Sequence, residues 1–428
     1  MMNLNLKRWG LWVGCFLIFA SKSRASLRLP ILQTYTDTSS TRIVIVAPDA
    51  LVASRIKVTG PFLHSPPTWT VVRYKNPYTG GEIAHVDVTE MKEGHRYHIR
   101  VLSPDLRSSI ERREFTGLSL NAKRLKLTLA SCMYDKFYRS KLWKRFNAES
   151  PDAILFLGDN VYANKPLKVA DERQLWMRYT QTREKFSFFY EHKLVPSFST
   201  WDDHDVGVNN GGRDFPLIGK ARRIFEIFYG SPLAEQSSFS KGPGLAYAWK
   251  TPHGIWFMFD NRSFRDDPSP SSLGAYLGRA QLKWFADLIR QNPKAHLFLG
   301  GGSKFFEQEL AHQEGYEKDY PAEFSEFLYL LRRHDARATF LSGDRHYSEI
   351  SEVVSRYTGY PTFEITSSAM HSYTVPFMLG LNKNKSRITA TAAENFVVLD
   401  LLKKNGRLEA SALSRGEKKD LFSWKSAL

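Results

Sequence analysis

The sequence predicts an α/β protein, with an all-β module at its start and a larger region in which strands alternate with helices. Three observations carry this. Short strand-like runs separated by Pro and Gly clusters fill residues 27–120. Apolar runs such as Ala153-Ile154-Leu155-Phe156-Leu157 then alternate with helix-length segments over 124–415, the pattern of a sheet covered on both faces. The composition, 42% hydrophobic and 24% charged over 428 residues, is that of a globular chain and excludes disorder or a collagen-like fold.

The first segment is not part of the fold. Lys7 and Arg8 open a basic start, Trp9 to Ala20 is apolar, and Ser23-Arg24-Ala25 offers a processing site. Residues 1–25 read as a secretory signal peptide, because the apolar run falls short of the ~20 residues a membrane span requires. The same shortness disfavours a lipid anchor at Cys15. The expected location is periplasmic or extracellular, with no transmembrane anchor once the signal is removed. The mature chain then holds one cysteine, Cys132, which cannot form an internal disulfide and must be buried, reactive or metal-bound.

In the module at 27–120, Arg42–Val46, Arg55–Val58, Trp69–Arg73 and Tyr97–Val101 read as strands. Gly94 shortly before Tyr97 is the local pattern of the tyrosine corner in immunoglobulin-like sandwiches, so an immunoglobulin or fibronectin III-like β-sandwich is expected. In the region at 124–415, strands are expected at Leu125–Ala130, Ala153–Leu157, Gly254–Phe259, His296–Leu299, Ala338–Leu341 and Pro361–Ile365. Helices are expected near 136–148, 171–194, 215–229, 279–291 and 321–334.

The chemistry-bearing residues follow the buried strands, where α/β sheets bind ligands. They are Ser131-Cys132, Gly158-Asp159-Asn160-Val161-Tyr162, Trp201-Asp202-Asp203-His204-Asp205 with Asn209 and Asn210, and Gly343-Asp344-Arg345-His346. Three acids in four residues repel one another unless a cation or proton balances them. Thiolate, phenolate and imidazole suit Fe³⁺, whereas oxygen-only ligands suit Ca²⁺, Mg²⁺ or Mn²⁺, so two unlike ions are expected. The plainer readings stand beside these: a lone cysteine is commonly a small buried hydrophobe, Asp202 suits a helix cap, and Asn209 or Asn210 suits a turn with Gly211-Gly212.

Taken in order, Ser-Cys, Gly-Asp-x-x-Tyr, Trp-Asp-Asp-His-Asp and Gly-Asp-x-His resemble the PhoD-like alkaline phosphatases of the calcineurin-like metallophosphatase superfamily. Asp260-Asn261-Arg262, Leu277-Gly278-Arg279-Ala280-Gln281-Leu282-Lys283-Trp284 and Thr366-Ser367-Ser368 with His371 resemble further family segments. The resemblance implies a metallophosphatase β-sandwich flanked by helices after the N-terminal module. It implies Cys132, Asp159, Tyr162 and His346 around Fe³⁺, with Asp159 bridging to a Ca²⁺ site completed by Asp203, Asn209 and Asp344. Zn²⁺, Mg²⁺ or Mn²⁺ are substitutes. It implies His204 as proton donor oriented by Asp205, and Arg345 or Arg262 balancing phosphoryl charge. The activity implied is hydrolysis of phosphoric esters, mono- or diesters, by metal-activated water. Asn164 stands where relatives commonly carry an acid, and Gly300-Gly301-Gly302-Ser303-Lys304 lacks their histidine.

Two other functions are alternatives: a phospholipase D-like phosphodiesterase acting on cell-envelope polymers or lipids, and a non-catalytic surface-binding protein. The glycines at 300–302 lack phosphate-loop spacing. Ser131 and Ser303 lack a nucleophile elbow. The formal charge of +16 favours anionic partners, but no aromatic-interleaved basic stretch argues for sequence-specific nucleic acid binding. Nothing in the sequence sets the oligomeric state.

Overall fold

Runs such as Leu125–Ala130 and Ala153–Leu157 have no polar face to turn to water, so both faces of their sheet must be covered. The computed structural model describes residues 29–428 apart from 50, 52–54, 62–65, 120–122, 235, 269–272, 308–314, 375, 377–378 and 380–383. The expected signal peptide lies outside the described residues.

Two large sheets pack face to face. The ten-stranded sheet has at its centre Arg124–Ala130, Ala153–Leu157 and Ser197–Thr200, all parallel. On one side it adds Asn395–Lys404, Arg407–Gly416 and Asp420–Ala427, antiparallel. The sheet thus runs to Ala427, beyond the 124–415 span expected from sequence. The eight-stranded sheet is centred on Gly254–Met258, Leu297–Gly300, Ala338–Ser342 and Thr362–Thr366, again parallel.

Leu127, Leu129, Leu155 and Leu157 of the first sheet meet Trp256, Phe298 and Leu341 of the second in one core. The Trp256 and Phe298 rings stack there at 3.9 Å. Each such side chain, fully withdrawn from water, contributes roughly 1.5–3 kcal/mol. Ile154 and Phe156 point the other way, onto helices Ser140–Ala148, Glu172–Lys185 and Ile218–Tyr229. Phe257, Leu299 and Phe340 do likewise on the second sheet, against Gly278–Gln291 and Pro321–Arg333. The result is a helix–sheet–sheet–helix sandwich.

The N-terminal strands form an all-β unit that shares the first sheet. Ile31–Thr34 lies parallel to Ser197–Thr200, with Thr34 beside Ser197, and continues into Thr41–Ala47, Glu82–Thr89 and Thr68–Lys75. A three-stranded sheet of Ile56–Thr59, Arg96–Leu102 and Ser109–Thr116 packs over it. Strand period two explains the double role of Thr41–Ala47. Ile43 and Ile45 face the N-terminal core, while Val44 and Val46 face the helix-covered core. The Tyr97 hydroxyl accepts the backbone N–H of Lys92 at 2.7 Å, the hydrogen bond of a tyrosine corner.

The parallel strands of both sheets end at one edge. Three glycines let the chain segments touch there. A Cβ on Gly158 would stand 2.7 Å from Asp202 Cβ, one on Gly302 2.6 Å from the Trp201 carbonyl, and one on Gly343 2.1 Å from the Leu157 carbonyl. Gly302 therefore serves close approach, not phosphate cradling.

Candidate metal centre

Each strand end delivers one side chain into the same small volume. Cys132, Asp159 and His346 present ligand atoms within 4.8 Å of one another, and so do Asp159, Asp203 and His204. Asp159 is common to both groups. Its Oδ2 lies 3.5 Å from Cys132 Sγ, and its Oδ1 accepts the His204 N–H at 3.3 Å.

The backbone is bent to achieve this. Cys132 (φ 53°), Asp159 (φ 51°), Asp344 (φ 69°) and His346 (φ 55°) all adopt the left-handed conformation without being glycine. Each such residue costs about 1 kcal/mol or more and persists only where its surroundings enforce it. Their concentration at one sheet edge marks a place where side-chain direction outweighs backbone ease.

Tyr162 joins the first group. Its hydroxyl lies 3.1 Å from His346 Nε2 and 2.7 Å from Ser372 Oγ. Its ring stacks on His204 at 4.0 Å and on Tyr134 at 4.6 Å. The Cys132 sulfur accepts from Ser368 Oγ at 3.2 Å and from Ser131 Oγ at 3.4 Å. Asp344 is half-buried, and its charge acts on both Cys132 and Asp159.

Electrostatics favour a cation here. Burial, then the charges of Asp203, Asp202, Asp205 and Asp344, push the Asp159 carboxyl well above the usual carboxylate range. Burial, then Asp159 and Asp344, push the Cys132 thiol up. Burial, then Cys132 and Asp159, raise the Tyr162 phenol. Burial also raises the Asp203 carboxyl, but His204 and Arg262 outweigh it and hold that group below its ordinary value. Burial and His204 lower His346 to about 4, leaving a neutral imidazole. A neutral imidazole and clustered carboxylates are ready donors for metal ions, the thiol and phenol become donors on losing their protons to a bound cation, and that cation would relieve the repulsion among the acids. The residues present fit such ions.

Several expectations need correction. Asp205 does not orient His204. Its carboxylate accepts the backbone N–H groups of Val161 (2.8 Å), Asp202 (2.9 Å) and Asn160 (3.2 Å). The His204 ring is held instead by Asn164, whose Oδ1 lies 2.8 Å from Nδ1. Arg345 is buried and paired with Glu307 at 2.6 Å, with its Nε 3.7 Å from Asp344, so its charge is already engaged. Arg262 is fully buried against Asp202. The Asn209 side chain is exposed and donates to Asn210 Oδ1 at 2.6 Å. What ties that turn to the centre is the Asn210 N–H, 2.7 Å from Asp203 Oδ2.

Asp202 holds its loop, as its position before the short helix Asp203–Val206 suggested, by accepting from Asn261 Nδ2 at 2.9 Å and from Arg262. His371 is buried, with Nε2 accepting from Trp143 Nε1 at 2.8 Å and Nδ1 3.0 Å from the Tyr134 carbonyl. Residues that sequence reasoning missed are Asn164, Tyr134 and Ser372. Asn164 was visible only as an unusual residue two positions after Tyr162.

No protein-family model and no curated protein sequence matches the chain. Among solved structures, that of PhoD superposes with a TM-score of 0.70 at 16% identity, over 93% of this chain and 88% of that one. The chain therefore has a PhoD-like fold. A Staphylococcus aureus protein described as a 5'-nucleotidase in complex with α-ketoglutarate gives a TM-score of 0.34 at 10% identity, over 71% of this chain and 53% of that one. A Streptococcus pneumoniae protein described as a predicted phosphoesterase gives 0.27 at 7% identity, over 71% and 98%.

Proposed function

We propose that this PhoD-like fold serves an exported, metal-dependent hydrolase of phosphoric esters, released by cleavage of a signal peptide at residues 1–25. The observation that carries the reading is the pair of ligand groups sharing Asp159. Shared carboxylates are how two ions are held at the spacing of an in-line displacement.

Cys132, Asp159, Tyr162 and His346 would hold one ion, of which Fe³⁺ matches the donor set best. Asp159 and Asp203, joined by Asp344, whose charge reaches Asp159, would hold a harder one such as Ca²⁺, while His204, the third member of that ligand group, is assigned to proton transfer. Bound cations supply charge stabilisation of a phosphoryl group and an acidified water. The chain's own groups do the rest. His204, stacked on Tyr162 and held through Nδ1 by Asn164, presents Nε2 as the atom that passes a proton to the leaving alkoxide. Water adds to phosphorus, the ester P–O bond breaks, and the alcohol leaves with that proton.

The test is turnover of p-nitrophenyl phosphate and of its bis-ester, with and without added iron and Ca²⁺, beside elemental analysis of the purified protein. Turnover of either ester that falls on chelation and returns with metal supports the proposal. Absence of turnover together with absence of bound metal overturns it.

A further inference from the structure

On the far side of the ring stack from His204 lies a cleft of about 510 Å³, lined by Tyr134, Asp135, Lys136, Lys165, Arg178 and Lys185 among others. Its wall is shared with the metal centre. Tyr134 stacks on Tyr162, which stacks on His204, with centroid separations of 4.6 and 4.0 Å. Lys165 follows Asn164, the residue that holds His204, and its own N–H bonds the Tyr162 carbonyl at 3.2 Å. Arg178 donates to the same carbonyl at 3.3 Å and pairs with Asp135.

The charges are unequal. Four cations line the cleft against two acids, Asp135 and Glu184. Asp135 is taken by Arg178. Lys136, Lys165 and Lys185 make no ion pair with any described residue. Lys136 and Lys185 are steadied over aromatic rings, at 5.8 Å from Phe137 and 5.7 Å from Tyr138. Three lysines without an ion pair among the described residues, against the one remaining acid Glu184, give this open cleft an excess of positive charge suited to an anion.

We infer that this cleft binds a second anionic group of the substrate, one that is not cleaved. The inference rests on the hydrolase reading above and narrows it: the substrate class is phosphoric esters that carry a further phosphate or carboxylate a short chain away from the scissile phosphorus. Lys136, Lys165 and Lys185 are then specificity-determining residues, and the Tyr134–Tyr162 stack is the partition between the two anion sites.

The experiment compares 1,6-hexanediol bisphosphate with hexyl phosphate, using the full-length protein and the triple variant K136Q/K165Q/K185Q. Wild type is expected to show a KM about tenfold lower for the bisphosphate, a discrimination that shrinks as salt rises. In the variant the two KM values converge on that of hexyl phosphate. Calorimetric titration of the bisphosphate into protein as purified supplies a readout independent of activity, and the variant is expected to lose most of the binding. Equal KM values in wild type, or an equal effect of the variant on both esters, overturns the inference. Bisphosphate binding that depends on the lysines, with no hydrolysis of any ester, would retain the cleft and refute the hydrolase instead.

Discussion

The Asp205 carboxylate accepts the backbone N–H of Val161 at 2.8 Å, which pins the loop carrying Asp159 and Tyr162 to the short helix carrying Asp203 and His204. One buried acid thus sets the separation of two loops that come from different strands. Burial pushes it up to about 8, against the N–H groups of Asp202, Val161 and Asn160, which pull the other way. Asp205→Ala leaves those donors without an acceptor, at about 1–3 kcal/mol each. The expected result is a loss of about 3 kcal/mol or more in urea unfolding, together with loss of turnover. Asn164→Ala orphans one buried partner in place of three, so a smaller loss of about 1–3 kcal/mol is expected, while ester hydrolysis slows about tenfold or more as His204 loses its orientation. Equal stability losses in the two variants would contradict these roles.

Metal content should follow the sharing of Asp159. Asp159→Ala is expected to lose both ions, because it belongs to both ligand groups. On the two-ion reading proposed above, His346→Ala is expected to lose the ion assigned to Cys132 and Tyr162 while retaining the second, and Asp203→Ala the converse. Tyr162→Phe should remove or shift visible absorption arising from tyrosinate on Fe³⁺. Elemental analysis and absorption spectra of the four variants check this. Loss of a single ion from Asp159→Ala would argue against the shared position.

The strand ends were legible in the sequence because an apolar run followed at once by Cys132, Asp159 or Asp344 is readable without tertiary knowledge. The partners of those residues were not. The resemblance implied that Asp205 orients its neighbour His204. In the short helix Asp203–Val206, however, Asp205 turns back to the N–H groups of Asp202 and Val161, and the ring meets Asn164 from another loop. Arg345 looked free for phosphate because Glu307, which pairs with it, lies on a different segment. The N-terminal strands were readable by their alternation, but the parallel pairing of Thr34 with Ser197 joins residues far apart in the chain. Local pattern carries no information about such a partner.

The glycine contacts at the sheet edge yield a stability contrast. Gly343→Ala drives a methyl to 2.1 Å from the Leu157 carbonyl and 2.8 Å from Ser131 Cβ. Backbone cannot yield as a flexible side chain can, so this variant is expected to lose several kcal/mol, about 3 or more, or to fail to fold. Gly219 lies inside the helix Ile218–Tyr229 with nothing within 4 Å of an added Cβ. Gly219→Ala is expected to stabilise by about 0.5–1 kcal/mol through helix propensity alone. Thermal and urea unfolding of the pair measures both. A well-folded Gly343→Ala of wild-type stability would disprove the close approach.

A pH effect on stability should arise at Glu364, on the strand Thr362–Thr366. Its carboxylate accepts the N–H groups of Phe305 at 2.8 Å and Phe306 at 3.2 Å. Burial raises it to about 7 despite the Lys304 charge and these hydrogen bonds. The folded value stands above the unfolded one of about 4.5, so between them the folded state binds more protons. This group therefore favours folding most below about 4.5, and its contribution falls as pH rises to about 7 and then levels off. The span amounts to roughly 3 kcal/mol at 1.36 kcal/mol per pH unit. Glu364→Gln removes the titration and keeps an acceptor for one of the two N–H groups, which bond different oxygens, so it carries a cost that is the same at both pH values. Relative to wild type, the variant should be more stable at pH 8 than at pH 5 by that order. Urea unfolding of both proteins at the two pH values decides it, since parallel profiles would show that Glu364 ionises alike in the folded and unfolded chains.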